Sequence, residues 1–379
     1  DSSTTTSSSF SGTYNTIELI WNEPITNCSS MFYSCLYIKE IDLSSFDSSK
    51  CISTSSMFYE NKELVKINLR NFDTSSSEDM SRMFWGCVVL TSIDVSHFNT
   101  NKVANMEGMF NYCGALKSLN LLNFNTLLVG NLRWMFKDCF ELSYLDLSSF
   151  RTPLVKEIVS MFKECHALTS LDISNFDTKN VRRFNSLFDG CKNLEKLNLG
   201  HFNTENTNLF SWTFRYCIKL TSLDLSSFDM SKVEKTNEMF YGCENLQYIK
   251  FNDMTKMTEV IDMESMFYNC AKLTSLDLSF IDTSQVTTMK NIFYNCVKLE
   301  TLIFPYFYTT TLQIIDSALS GCSSLKVYNM YSFLLKDNIN PDALFQNLPQ
   351  NMVYCLNDNT VNSRIFSIFS QKFSNNDCI

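Results

Sequence analysis

The stretch Cys217-Ile-Lys-Leu220-Thr-Ser-Leu223-Asp224-Leu225-Ser-Ser-Phe228-Asp-Met-Ser-Lys-Val233-Glu-Lys-Thr-Asn-Glu-Met239-Phe240-Tyr-Gly-Cys243 carries two hydrophobic periods side by side. Leu223 and Leu225 alternate with Ser222, Asp224 and Ser226, the spacing of a strand with one face turned inward. From Val233 onward the apolar slots recur three or four apart. In the unit after Cys87 the same slots hold Val103, Met106, Met109-Phe110 and Cys113, which reads as the inner stripe of a three-turn helix. An Asp or Asn followed by Thr stands just ahead of that stripe (Asp177-Thr178, Asn99-Thr100, Asp282-Thr283) and suits an N-cap and turn. Gly86, Gly190, Gly242 and Gly321 stand just before the Cys, where a helix has to stop. The expected unit is strand, turn, short helix, return.

The unit repeats. Cys35, Cys87, Cys113, Cys139, Cys165, Cys191, Cys217, Cys243, Cys270, Cys296 and Cys322 follow one another at steps of 26 residues, with one step of 27 before Cys270 and Asn61 in a vacant slot. Leu348 takes a thirteenth slot. A period of this length marks a solenoid, because one unit cannot bury its apolar face and a stack of units can. Two columns of Phe, one after the Met slot and one closing the strand, account for most of the 32 Phe. The expected fold class is α/β: a leucine-rich-repeat-like solenoid with one parallel β-sheet plus short helices, in about 12–13 coils of 26 residues. Residues 1–24 read as a Ser/Thr-rich segment and N-terminal cap, 25–348 as the repeat, and 349–379 as a C-terminal cap. In the first cap Ile17 to Trp21 looks like a degenerate strand; in the second, Met352 to Leu356 looks like a last strand and Val361 to Phe373 like a closing helix.

The consensus Leu-x-x-Leu-Asp-Leu-Ser-x-Phe-Asp-Thr-Ser-x-Val, then Met-x-x-Met-Phe-x-x-Cys, resembles the 26-residue surface-protein repeat of the BspA-like leucine-rich class, which occurs in bacterial and protist surface proteins. The resemblance runs from Ile25 to Leu348. It implies a solenoid that is exported and displayed on the cell surface, with adhesion or recognition as its role. It brings no catalytic residue and no particular ligand. The chain departs from the pattern at Asn61, around Asn252-Asp253-Met254, and from Leu302 to Phe307.

Composition narrows the function classes. The 379 residues carry 31 Lys and Arg against 40 Asp and Glu, a net charge of -9, which argues against a nucleic-acid binder. Charged residues are 19% and hydrophobic residues 45%, so the chain is able to bury a large core. No apolar run approaches the roughly 20 residues of a membrane-spanning helix, and no charged-then-apolar leader opens the sequence. His97, His166 and His201 lie far apart, and the metalloprotease, phosphate-loop, nucleophile-elbow and dinucleotide motifs are missing. The expectation is no enzyme, no cofactor and no metal site. The partners expected are a protein or glycan on another surface, or copies of the chain itself, met outside the cell or at its surface.

Candidate binding residues fall in two groups. The middle outward slot of the strand holds Asp42, Asn68, Asp94, Asn120, Asp146, Asp172, Asn198, Asp224, Lys250, Asp277, Ile303 and Asn329 in one row. Such a row is either an acidic strip for a basic partner or cation, or an architectural row of side-chain hydrogen bonds diluted by Asn; the second reading is favoured, because the residue recurs with the unit. Lys250 stands between Asp224 and Asp277 as an ion triad worth little if exposed. The other group is where the repeat breaks: Lys250, Asn252 and Asp253 around the extra residue, and Tyr306 and Tyr308 after Pro305, with Tyr328 and Tyr331 in the next coil.

The cysteine column has no close Cys-x-x-Cys pair and reads as a buried ladder of free thiols with weak S–H bonds to backbone. Four cysteines lie outside it. Cys355 and Cys378 flank the expected closing helix, and Cys28 and Cys51 are neighbours across one coil; either pair is a candidate disulfide, and a disulfide implies an oxidising compartment. Asn27-Cys28-Ser29 is a glycosylation sequon, which a helical setting beside an inward Cys would disfavour.

Overall fold

The computed structural model describes residues 16–21, 23–252, 254–303, 311–329, 348–349 and 353–355, the segments 327–329 and 353–355 as backbone alone. Nearly every coil contributes a strand of two to four residues; there are twelve such strands among the described residues, from Glu40–Asp42 to Val353–Cys355. They pair in parallel and in register, Ile41 beside Ile67 and Leu223 beside Ile249, one repeat apart. Alternation places Ser222 and Asp224 outward and Leu223 and Leu225 inward, as the sequence implies. About ten coils lie between Cys35 and Cys296.

The sheet is not one continuous ladder. Strands join as four pairs and one group of four, and Ser92–Asp94 takes its place in the stack without strand geometry. Strands this short make few ladder bonds, so a small local shift ends the pairing while the coils stay stacked.

The expected helices are absent: among the described residues there is no helix. The Met-Phe stretch is a pair of successive turns. The N–H of Met57 bonds Thr54 O (3.1 Å) and that of Asn61 bonds Phe58 O (3.4 Å), and the third residue of each turn is left-handed, Ser56 at φ 55 and Glu60 at φ 58. The N–H groups of Thr54, Ser56, Phe58 and Glu60 instead cross to Asp79, Ser81, Met83 and Trp85 O of the next coil at 3.0, 2.8, 2.8 and 2.6 Å. A helix would send all of these back along its own chain. The pattern recurs coil after coil, with positive φ five residues and one residue before the Cys. Gly86, Gly190, Gly242 and Gly321 (φ 77, 77, 70 and 82) occupy the second of these places, as turn residues and not helix stops.

The Asp/Asn-Thr dipeptide is also not a helix cap. Asp177 Oδ1 accepts from the N–H of Lys179 (3.0 Å) in an Asx turn. The buried Thr beside it bridges coils: Thr100 Oγ1 donates to Asn125 O (2.9 Å) and accepts from the N–H of Asn125 (2.7 Å). The equivalent Thr126, Thr152, Thr178 and Thr204 each donate to the next coil.

The core is columnar. Eleven Phe rings, from Phe32 to Phe293, stack one per coil with centroids 5.3–6.0 Å apart and nearly parallel planes. The expected first strand is not formed at Ile17 to Ile20, where those three apolar side chains stay exposed; Trp21 makes the packing contact, edge-on to Phe46 at 4.9 Å. The expected closing strand is present as Val353–Cys355, and the closing helix falls outside the described residues.

Candidate functional site

The strand-face row is built as a series of Asx turns. Asp146, Asp172, Asp224 and Asp277 each accept, through Oδ1, the N–H two residues on, from Ser148, Ser174, Ser226 and Ser279 (2.8–3.0 Å). Asn68, Asn120 and Asn198 do the same, which is why Asp and Asn exchange freely along the row. The serine hydroxyl and N–H hold the Asp94 and Asp224 carboxyls below the usual carboxylate range. Asp172 is held low by the N–H and hydroxyl of Ser174. Asp94, Asp172 and Asp224 are exposed. Lys250 pairs with Asp224 at 3.6 Å and not with Asp277, so the expected triad is an exposed pair. Asn252 Oδ1 accepts from the N–H of Met254 (3.0 Å), whose side chain is exposed, and Ile303 is exposed as well. Asp253, Tyr306, Tyr308, Tyr331 and Cys378 lie outside the described residues, as does the side chain of Cys355.

Ten of the eleven column cysteines, Cys87 to Cys322, form a ladder of buried thiols, each donating to the Phe carbonyl of the coil before: Cys113 Sγ to Phe84 O, Cys139 to Phe110 and Cys165 to Phe136, all at 3.1 Å; Cys35 at the start of the column is half-buried and points instead to Tyr33 O. Asn61 fills the vacant slot with the same bond, Nδ2 to Phe32 O at 2.8 Å. Burial pushes the thiols of Cys87, Cys243 and Cys322 up to about 12. A thiol held protonated is a poor nucleophile and a poor metal ligand. No group of three or more His, Cys, Asp or Glu is placed to hold a metal ion among the described residues. Cys28 and Cys51 are brought together, both buried, with Cα atoms 5.8 Å apart and sulfurs within bonding distance.

The turn face carries residues that the sequence reading passed over. Two places before the Cys, successive coils present Tyr33, Tyr59, Trp85, Asn111, Lys137, Lys163, Asp189, Arg215, Tyr241, Tyr268 and Tyr294. Tyr33, Tyr59 and Trp85 stack at 4.8 and 5.8 Å. Trp134 meets Trp85 edge-on at 5.9 Å, and the Arg133 guanidinium lies 3.8 Å over the Trp134 ring. Arg82 pairs with Glu107 at 2.5 Å, and Lys137 lies 4.7 Å over Tyr112. Gly108 is what lets Trp85 lie flat, since a Cβ there would stand 2.6 Å from the indole. Next to it Asn111 is fully buried with both amide atoms unpaired. Lys163 and Arg215 then hold the buried Asp189 at 2.8 and 2.9 Å. Beyond them Tyr241, Tyr268 and Tyr294 stack at 4.4 and 4.8 Å. The signal was in the sequence: this outward slot changes character along the chain, whereas the strand-face slot repeats.

A family profile described as "Mycoplasma protein of unknown function, DUF285" matches residues 5–120, 86–171, 160–274 and 210–333. The chain belongs to this family. The match recurs along the array, in keeping with a leucine-rich repeat protein of the BspA-like class, and no catalytic family is indicated. Among solved structures, a leucine-rich repeat protein from Bacteroides ovatus is 20% identical over 86% of each chain, with a TM-score of 0.37. A leucine-rich cell surface protein from Faecalibacterium prausnitzii is 20% identical over 72% of this chain and 74% of its own, TM-score 0.36. The functional domain of InlJ from Listeria monocytogenes, which includes a cysteine ladder, is 14% identical over 75% and 72%, TM-score 0.18. All three likenesses are distant. No curated protein matches the chain. No helix among the described residues is long and apolar enough to cross a membrane.

Proposed function

We propose that the chain is a non-catalytic recognition solenoid, exposed at the cell surface or outside the cell, which binds a protein or glycan on another surface. The observation that carries the reading is the turn-face cluster of Arg82, Trp85, Tyr112, Arg133 and Trp134. Trp, Tyr and Arg dominate interface energetics, and here they gather on a backbone that alternates hydrogen bonds between and within coils. The strand-face acids Asp146, Asp172, Asp224 and Asp277, with Lys250 and Asn252, are proposed as a second, polar strip that tunes approach by charge, with Asp253 as a further candidate outside the described residues. Tyr306 and Tyr308, also outside the described residues, are proposed as binding aromatics on the sequence alone. The test is binding of the purified chain to immobilised glycans and cell-surface proteins, wild type against Trp85→Ala/Arg133→Ala. Loss of binding with an unchanged thermal midpoint supports the reading, and equal binding by both overturns it.

One observation favours end-to-end assembly into a coat or filament as a second reading. A groove of about 930 Å³ opens at the N-terminal end, lined by Ile17, Leu19, Ile20, Met31 and Phe32, and the exposed Leu36 and Tyr37 lie near it. If this end mediates assembly, Ile20→Glu/Tyr37→Glu leaves a monomer in sedimentation where the wild type forms oligomers. A monomeric wild type at high concentration removes this reading. In either case 1–24 and 349–379 are proposed as caps of the 25–348 array, and Cys28–Cys51 and Cys355–Cys378 as disulfides of an exported chain. Intact mass with and without reduction, after alkylation, counts them; a fully reduced chain taken from outside the cell contradicts both pairs.

A further inference from the structure

We infer that Asn27 is an asparagine-glycosylation site of the exported chain, an inference that rests on the export reading above. Asn27-Cys28-Ser29 is an acceptor sequence, and its use depends on an accessible amide in a turn. A helix over this stretch would have closed it. Asn27 instead is exposed and makes an Asx turn, its Oδ1 accepting from the N–H of Ser29 at 2.9 Å, while no bond to its Nδ2 is formed among the described residues.

Position in the stack separates Asn27 from its equivalents. It lies in the slot that forms a parallel ladder along the turn face, where Asp79, Asn105 and Asn131 each sit between two bridged neighbours. Asn105 and Asn131 are half-buried, the Asn131 amide is spent on Glu107 (2.8 Å), and neither is followed by Ser or Thr two residues on. Asn27 sits at the first described rung: Cys28 N donates to Ser53 O and Ile52 N to Thr26 O, both at 2.9 Å, and no described coil lies on its other side. Its neighbour across the rung is the small Ser53, bonded to Ser29 Oγ at 2.7 Å. A bulky polar group on Nδ2 therefore extends from the end of the stack without displacing a rung.

The co-substrate is an oligosaccharide carried on a polyprenyl pyrophosphate. The Nδ2–C1 bond forms as the bond from C1 to the pyrophosphate oxygen breaks; the lipid pyrophosphate leaves with the electron pair, and one amide proton passes to base.

The test uses protein collected from the surface or medium of its source cells, digested with and without a glycosyl-asparagine amidase in heavy-oxygen water. Conversion of Asn27 to labelled Asp in the amidase sample alone is the expected result. Loss of the added mass in both Asn27→Gln and Ser29→Ala, the latter keeping the asparagine, completes it. Surface protein whose Asn27 peptide is wholly unmodified overturns the site and leaves the recognition reading intact. Failure to find the chain outside the cell overturns the export on which both stand.

Discussion

Asn61 replaces a thiol in the ladder and keeps its bond. Its Nδ2 reaches Phe32 O as the cysteines reach theirs, but Oδ1 is buried without a partner. A buried acceptor left unpaired costs about 1–3 kcal/mol. Asn61→Cys is therefore expected to raise stability by about 1 kcal/mol, read as a higher urea midpoint at unchanged slope; a lower midpoint would show that the amide does more than the thiol. Phe162, stacked at 5.8 Å on both Phe136 and Phe188, is expected to cost about 3–5 kcal/mol on truncation to Ala. At this scale much was legible. Cysteines spaced a full repeat apart, with no close pair and interrupted by Asn61, read as an inward ladder of free thiols, and the strand-face Asp/Asn mixture suggests local hydrogen bonding. The acceptor that all these groups share, the Phe carbonyl of the preceding coil, is backbone and leaves no mark on residue identity.

The two turns before each Cys are where sequence and structure part. Met, Phe and Cys recur four, three and zero places before the coil's end in either a helix or a double turn, because a four-residue turn period and a 3.6-residue helix cannot be separated over two turns. Non-Gly residues at φ 53–61 are what distinguish them, and Ser, Glu, Asn and Trp in those slots give no warning. A left-handed residue costs about 1–2 kcal/mol if it has a Cβ; the bonds crossing to the next coil offset that cost. The distinction has a sign. In a helix Ser160→Gly is worse than Ser160→Ala by about 1 kcal/mol. At φ 55 the order reverses, with Gly relieving strain and Ala keeping it. Denaturant midpoints of the two variants decide, and Ala above Gly would restore the helix.

Over the whole molecule the thiol ladder couples stability to alkaline pH. Ten column cysteines are buried, and burial raises each of them. In the unfolded chain they ionise near pH 8.5. Above that pH the unfolded state has lost protons that the folded state retains, so stability is complete below about pH 8.5 and falls as pH rises toward about 12. Each thiol contributes about 1.4 kcal/mol per pH unit in that window. Chemical denaturation at stepped pH should show a collapse of stability above about pH 9 that an array with several column cysteines replaced by Ala loses in part; a flat profile would mean the thiols are exposed or bonded to one another. Repeat architecture and family were readable at this scale because periodicity survives any local misreading. The proposed turn-face surface is harder to read, since its only mark in the sequence is an outward slot that stops repeating. The most direct test of recognition through the turn face compares cell-surface and glycan binding by wild type, Trp85→Ala/Arg133→Ala, and Asp146→Asn/Asp172→Asn/Asp224→Asn/Asp277→Asn. Binding lost in the first variant and largely kept in the second, whose Asx turns Asn preserves, is the expected result. Binding kept in the first and lost in the second would move recognition to the strand face and contradict the assignment.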